Sequence, residues 1–380
     1  MAVYPEYPTR RPSEGRFSLL FFFKLIGKMK RIVKQVVGID VAQKELVVSL
    51  GRMHEDLSIE IYAHKVSPNT KNGFSTLASW VQTRVDPNVK VRYVMEATGV
   101  YHESLAYYLA QEDCEVSIVL PNKISNYFRT LEVKTITDKT ASETIARFGL
   151  ERKLDLWERP KPIFKKLRQL TRERDQIVQE RTMAKNQLHA ERAEAEPHPS
   201  SVSRIQKRIT LLNKQEKEIQ QEIAKMAKED LEVSSSIEYI RSITGVGLLT
   251  TATVLAETNG FELIRNKRQL TSYAGFDVKE KQSGTSVRGK ARISKRGNRY
   301  LRKAMHLPAL AAIKHSDRFK AIFARLVSKH GIKMKAAVAV QRKLLEMIYT
   351  IYKTKTLYNE DYLKTRCEQT VKNRKAVGFK

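Results

Sequence analysis

Val36-Val37-Gly38-Ile39-Asp40-Val41-Ala42 is the stretch on which the fold turns. Together with Val33, its β-branched residues predict a strand that ends at Asp40, and Glu45 to Leu50 reads as a second strand after a short turn. Downstream, Val89-Lys90-Val91-Arg92-Tyr93-Val94-Met95-Glu96 repeats the pattern, with Glu96 at its end and Ala97-Thr98-Gly99 as a tight exit. A helix over about Tyr101 to Gln111, a strand over Glu115 to Leu120 and a turn at Pro121-Asn122 follow. Strands alternating with helical segments predict an α/β domain.

Acidic residues at the carboxyl ends of neighbouring strands are the means by which an RNase-H-type sheet builds a divalent metal site. Asp40 and Glu96 occupy such ends. Their oxygen donors suit Mg²⁺, with Mn²⁺ as an alternative, because such an ion completes its octahedron with water and substrate phosphate. A third candidate, Asp138, opens a predicted helix running to Phe148. Each acid also has an ordinary use. Asp40 suits a strand-end turn, Glu96 a surface pair with lysine, and Asp138 a helix cap.

Composition points to a polyanionic partner. The 380 residues carry 70 Lys and Arg against 41 Asp and Glu, a formal charge of +29. A charge so large costs self-repulsion unless something negative neutralises it, and solubility alone needs far less. The length predicts roughly two to three domains. Cys114 and Cys367 make neither a disulfide framework nor a zinc cluster, which fits a reducing cytoplasm. The apolar Phe17 to Ile26 is too short to span a bilayer and Lys24 interrupts it. Residues 1–31 therefore read as a leader, with translation from Met29 leaving the functional part intact, and no membrane association is expected.

After Trp157-Glu158-Arg159-Pro160-Lys161-Pro162, apolar positions at Ile163, Leu167, Leu170, Ile177, Ala184 and Leu188 step by threes and fours. The pattern resumes at Val202, Ile205, Ile209, Leu212, Ile219, Ile223 and Met226, beyond Glu196-Pro197-His198-Pro199. This predicts a coiled-coil hairpin over 159–234, whose narrow seam favours a homodimer or higher oligomer. The C-terminal part, 235–363, reads as mainly helical, and 364–380 as a polar tail. Gly245-Val246-Gly247 has the character of a helix-hairpin-helix turn able to hold a phosphate, or of a plain turn.

Within that part lies Gln282-Ser283-Gly284-Thr285-Ser286-Val287-Arg288-Gly289. It opens a run containing Arg288, Lys290, Arg292, Lys295, Arg296, Arg299, Arg302 and Lys303 with no acid among them. A serine on a glycine-flexed loop beside so many cations suits covalent attack on a phosphodiester, and the cations suit nucleic-acid binding. The developing charge on the non-bridging oxygens needs stabilisation that these cations can supply. Ser286 and Ser294 are rival nucleophiles.

The blocks Val37 to Ala42, Met95 to Tyr101 and Asp138 to Phe148 resemble the RuvC-like half of the DEDD transposases, recombinases of the one-hundred-and-ten family of bacterial insertion sequences. Ile243 to Gly247, Leu270 to Phe276, Ser283-Gly284, Arg288-Gly289 and Ile293 to Asn298 resemble that family's transposase domain in order and spacing. The resemblance implies an α/β plus α architecture: a RuvC-like, RNase H-type domain over 32–158, the coiled-coil connector, and a mainly helical transposase domain. It also implies a recombinase that breaks and rejoins donor and target double-stranded DNA, guided by an element-encoded noncoding bridge RNA. Asp40, Glu96 and Asp138 then match the acidic metal ligands and Ser283 the nucleophile, attacking to leave a phosphoserine link whose reversal needs no ATP, provided both domains meet the DNA. Ala141 stands where the family usually has a further Asp, which weakens the metal site; Ser142 or Glu143 are the nearby substitutes, with Glu143 off the face of Asp138. Two other activities remain open: a RuvC-like nuclease or junction resolvase using water, and a non-catalytic nucleic-acid-binding protein.

Overall fold

The computed structural model describes residues 30–97, 99–131, 135, 137–262, 264–280, 282–283, 287–289 and 292–360, with backbone alone at 282–283 and 287–288. Residues 1–29 of the expected leader and the tail from 364 lie outside these residues. The chain divides into two units, the first ending at Arg159 and the second beginning at Pro160.

In the first unit, β1 (Ile32–Val41), β2 (Glu45–His54) and β3 (Ile59–Pro68) form an antiparallel meander. Next come helix α1 (Lys71–Gln82), β4 (Val91–Glu96), α2 (Glu103–Gln111), β5 (Glu115–Val119), α3 (Pro121–Phe128) and α4 (Asp138–Glu151). Strands β4 and β5 join parallel on the other side of β1, giving the order β3-β2-β1-β4-β5. Three antiparallel strands followed by two parallel ones are the RNase H order expected of this part. The apolar run of β1 is buried on both faces because helices cover both. Val37 and Ile39 pack with Phe74, Leu77 and Leu105, whereas Val36 packs with Ile145 and Phe148. Gln35, also buried, accepts from the Asp86 N–H at 2.8 Å and donates to the Asp86 and Val89 carbonyls, tying the approach of β4 to β1.

Three elements of this unit were not anticipated. β3 leaves Val66 exposed and buries Ser67, so its alternation misleads, and α1 offers only the short apolar face of Phe74, Leu77 and Val81. The expected turn at Pro121-Asn122 is the start of α3, with Pro121 in the first turn, where a missing N–H costs nothing. Gly38 decides how closely α4 lies on the sheet. A Cβ there would stand 2.3 Å from the Ala146 nitrogen and 2.4 Å from the Ser142 carbonyl oxygen, so only glycine permits this approach.

The second unit begins with the long helices α5 (Pro162–Ala193) and α6 (Pro199–Glu229), packed against each other through Leu170, Ile177, Leu212, Ile219 and Ile223. Buried Glu216 accepts from Arg174 at 2.6 Å and is also bonded by Arg181, so its charge is paired inside the seam. α7 (Leu231–Arg241), α8 (Leu248–Thr258) and α9 (Lys267–Ala274) follow. Two short ribbons come next, pairing β6 (Val278–Lys279) with β9 (Arg292–Ile293) and β7 (Gln282–Ser283) with β8 (Val287–Arg288). The chain then forms α10 (Arg299–Ala304), α11 (His306–His315), α12 (Asp317–His330) and α13 (Lys333–Thr354). One apolar cluster runs from Phe164 and Leu167 of α5 through Ile240, Leu255 and Leu301 to Leu344 and Ile348 of α13. The base of the helical hairpin therefore shares its core with the C-terminal helices. Among the described residues, no helix is long and apolar enough to cross a membrane.

Candidate active site

Two candidate centres occupy the two units. In the first, parallel pairing sets Ile39 beside Met95, so the next residues of the two strands, Asp40 and Glu96, emerge together at the sheet's carboxyl edge. Asp138 enters as the first residue of α4. It does not cap that helix. Thr137 is the cap, accepting from the Thr140 N–H at 3.2 Å while the Thr140 hydroxyl accepts from the Thr137 N–H at 2.8 Å. The Asp138 side chain is exposed and released from capping, and its charge suits the helix N-terminus.

Two of the acids act on the third. Burial, then the charges of Asp138 and Glu96, push the Asp40 carboxyl up to about 6, against a hydrogen bond from the Val41 N–H that favours its ionised form. Such mutual repulsion is what a bound divalent cation relieves, and the hard oxygen donors are of the right type. Among the described residues, however, no group of three His, Cys, Asp or Glu closes to metal-holding geometry. Among the described residues the acids stand within electrostatic reach of Asp40 without forming a closed protein cage.

The neighbours of Ala141 have other uses. Ser142 is fully buried; its hydroxyl lies 2.6 Å from that of Ser49 and donates to the Lys139 carbonyl at 2.8 Å. It faces the sheet and does not reach the acids' solvent side. Glu143 lies 3.4 Å from His64 Nε2 on β3, away from Asp138. Neither side chain replaces the absent carboxylate. A cleft of about 940 Å³ lies at the other end of β1, lined by Lys30, Arg31, Arg52, His54 and Lys90, a strand's length from Asp40.

In the second unit, Ser283 lies on β7 with Val287 of β8 opposite it. The outer ribbon closes at a lock: Ser294 Oγ donates to Asp277 Oδ1 at 2.6 Å and the Ser294 N–H donates to the Asp277 carbonyl at 2.8 Å. Ser294, one rival nucleophile, is thus employed in holding the ribbon. Ser286, the other, lies outside the described residues. Gly297, at φ +155, allows the chain to pass against α9, where a Cβ would come 2.4 Å from the Tyr273 carbonyl oxygen.

Beneath the ribbon is a network that the sequence did not disclose. Glu257 is buried at the end of α8; Arg172 of α5 grips its two oxygens at 2.7 and 2.9 Å, and Asn298 Nδ2 donates to it at 2.6 Å. The Asn298 side-chain oxygen in turn accepts from the Tyr300 and Leu301 N–H groups, capping α10. A lone Glu in an apolar helical stretch was the available signal, since a buried acid demands a partner.

The basic run divides by employment. Arg292, Lys295, Arg296 and Arg299 are exposed. Arg299 donates to the Tyr300 hydroxyl and lies over its ring. Arg302 donates to the Ala274 carbonyl at 2.7 Å, and Lys303 is bonded to Asp175. The Arg288 side chain and Lys290 lie outside the described residues. Gly247 starts α8 without a side-chain cap, leaving its first N–H groups open to solvent or an anion.

An RNase H-ordered sheet with repelling acids at its carboxyl edge, on a strongly basic chain, defines a class: nucleic-acid-processing enzymes. Comparison with known proteins narrows it. A model for the DEDD transposases of the IS110 family, described as "Transposase", matches residues 37–191, and one described as "Transposase IS116/IS110/IS902 family" matches residues 237–324. Together they cover more than half of the chain. The pilin gene-inverting proteins of Moraxella bovis and Moraxella lacunata are each 26% identical over 323 residues, covering 84% of this chain and 95% of theirs. An uncharacterised 43.6 kDa protein of insertion element IS110 from Streptomyces coelicolor is 27% identical over 34% of this chain and 31% of its own length. Among solved structures, Thermus thermophilus RuvC in complex with a Holliday junction substrate is matched over 32% of this chain and 99% of that one, at 11% identity and a TM-score of 0.26. The chain belongs to the IS110 family of DEDD transposases, DNA-processing recombinases.

Proposed function

We propose that this transposase cuts and rejoins DNA through a phosphoserine intermediate on Ser283, with a divalent-metal site at Asp40, Glu96 and Asp138 and a bridge RNA that selects donor and target. The observation that carries the metal site is that Asp40, lifted to about 6 by burial and then by the charges of Asp138 and Glu96, shares its edge of the sheet with those two acids. Mg²⁺ held there would supply positive charge to a scissile phosphate. In the serine step the Ser283 Oγ–P bond forms as the P–O bond to the departing strand breaks. The proton lost from Oγ is matched by one gained at the departing oxygen, and reversal restores the diester. The ribbon lock of Asp277 and Ser294 supports the backbone that bears Ser283, and exposed Arg292, Lys295 and Arg296 are the cations available to bind phosphates. The narrow helical seam supports a homodimer.

The test incubates the protein with its element's flanking noncoding RNA, labelled donor and target DNA and Mg²⁺, and resolves the products on a denaturing gel. A protein–DNA adduct lost in Ser283→Ala is expected. Cut ends without an adduct would replace the serine route with attack by water, as in a RuvC-like nuclease, and an adduct persisting in Ser283→Ala would move the role to another hydroxyl.

A further inference from the structure

We propose that the α12–α13 hairpin is a second surface for the phosphate backbone of duplex DNA, on different elements from the basic run at 288–303. From Arg318 to Leu345 the sequence has eight Lys and Arg and no Asp or Glu. Lys320, Arg325, Lys329, Lys333, Lys335 and Lys343 are all exposed, and none is paired with a carboxylate among the described residues. These cations are not by-products of packing, because the hairpin spends other residues on the core: Phe319, Ala336, Ala337, Val340 and Leu344 are buried.

The hairpin holds several of these charges against its own preferences, although Lys329 also sits in the last turn of α12, where the helix dipole favours a cation. Arg325 and Lys329 stand one helical turn apart as like charges, an arrangement that weakens a helix. Lys333 and Lys335 lie in the first turn of α13, which has no acid and no side-chain cap, where the helix dipole disfavours cations. A polyanion reverses both penalties. The residues interleaved with the cations on α12 are Ala321, Ala324 and Ser328, all exposed and small, so a sugar–phosphate backbone can approach closely. Duplex DNA is the polyanion that a member of this family processes, and contacts of this kind position it without reading bases. The proposal rests on that family membership and not on Ser283.

The experiment measures binding of the full-length protein to a 30-base-pair duplex by fluorescence anisotropy across a KCl series, beside the variant Arg325→Ala/Lys329→Ala/Lys333→Ala/Lys335→Ala. Releasing four phosphate contacts would make the slope of log K against log[salt] shallower by about 3 to 4, since each contributes about 0.9. Binding near 100 mM salt should weaken at least tenfold, with the melting temperature held and with Arg325→Lys behaving as wild type. Should the quadruple variant not fold, Arg325→Gln/Lys329→Gln decides, with a loss of about 2 in slope. An unchanged slope and affinity for the duplex would overturn the proposal. So would a loss confined to a single-stranded structured RNA, which would assign the surface to RNA. Ser283→Ala carrying the same four substitutions should show the same change in slope, which separates this surface from the serine step.

Discussion

Asp40 is held in a setting that disfavours its charge. Its carboxyl, raised to about 6 by burial and by Asp138 and Glu96, binds a proton more tightly in the folded chain than in the unfolded one. The associated stability is therefore present at low pH and is lost as the pH rises from about 4 through about 6. Asp40 is only partly buried, so with solvent screening the cost at pH 7 is about 1–2 kcal/mol. Asp40→Asn should raise the melting temperature at pH 7, leave it nearly unchanged at pH 4, and abolish strand cleavage. Thermal melts at the two pH values check the first two outcomes and a cleavage assay the third. Adding Mg²⁺ at pH 7 should stabilise the wild type and not Asp40→Asn. Ala141→Asp should add to the repulsion, lowering metal-free stability by about 1 kcal/mol, and should tighten Mn²⁺ binding measured by calorimetric titration. The acids were legible in the sequence because strand ends announce themselves through β-branched runs. Their coupling was not, because Asp138 is almost a hundred residues from Asp40 and only folding brings its charge near.

At the scale of elements, the docking of α4 and the Asp277–Ser294 lock position the two proposed centres. Gly38→Ala should push α4 off β1 and cost about 3 kcal/mol, since backbone atoms of Ala146 and Ser142 cannot yield as a flexible side chain would. Its check is a denaturant melt, accompanied by loss of the Asp40 shift in a titration followed by NMR. On the other unit, Glu257→Gln weakens the paired hydrogen bonds from Arg172, whose side chain keeps part of its hydration, and should cost about 1–3 kcal/mol, measurable in the same way. Asp277→Ala should cost about 1 kcal/mol of stability and lower the rate of serine adduct formation more than it weakens DNA binding. Long amphipathic helices were visible in advance from their three- and four-residue steps. β3, α1 and α12 were not, because each buries only one thin face and gains most of its stability from neighbours remote in sequence.

At the scale of the whole molecule, two units have their own cores: Val37, Ile39 and Leu105 help build one, and Ile223, Leu255 and Ile348 the other. Calorimetry of the metal-free protein should resolve two transitions. Asp40→Asn should move one and Ile223→Ala the other, the latter downward by about 2–4 kcal/mol for the cavity it leaves. A single transition moved by both variants would contradict this. The charge of +29 should also make DNA binding strongly salt-dependent, as counterions are released from each contacted phosphate.

The sequence alone determined strands β1, β2, β4 and β5, the long paired helices, the basic character of the chain, the strand-end acids and the serine beside its cations. Each follows from local composition and periodicity, which need no distant partner. The tertiary structure alone decided that Thr137 and not Asp138 caps α4, that Ser142 and Glu143 are spent elsewhere, and that Ser294 locks a ribbon. It also decided that buried Glu257 joins α5, α8 and α10. Those assignments depend on which polar groups lose water together, and that is settled by contacts between residues far apart in the chain.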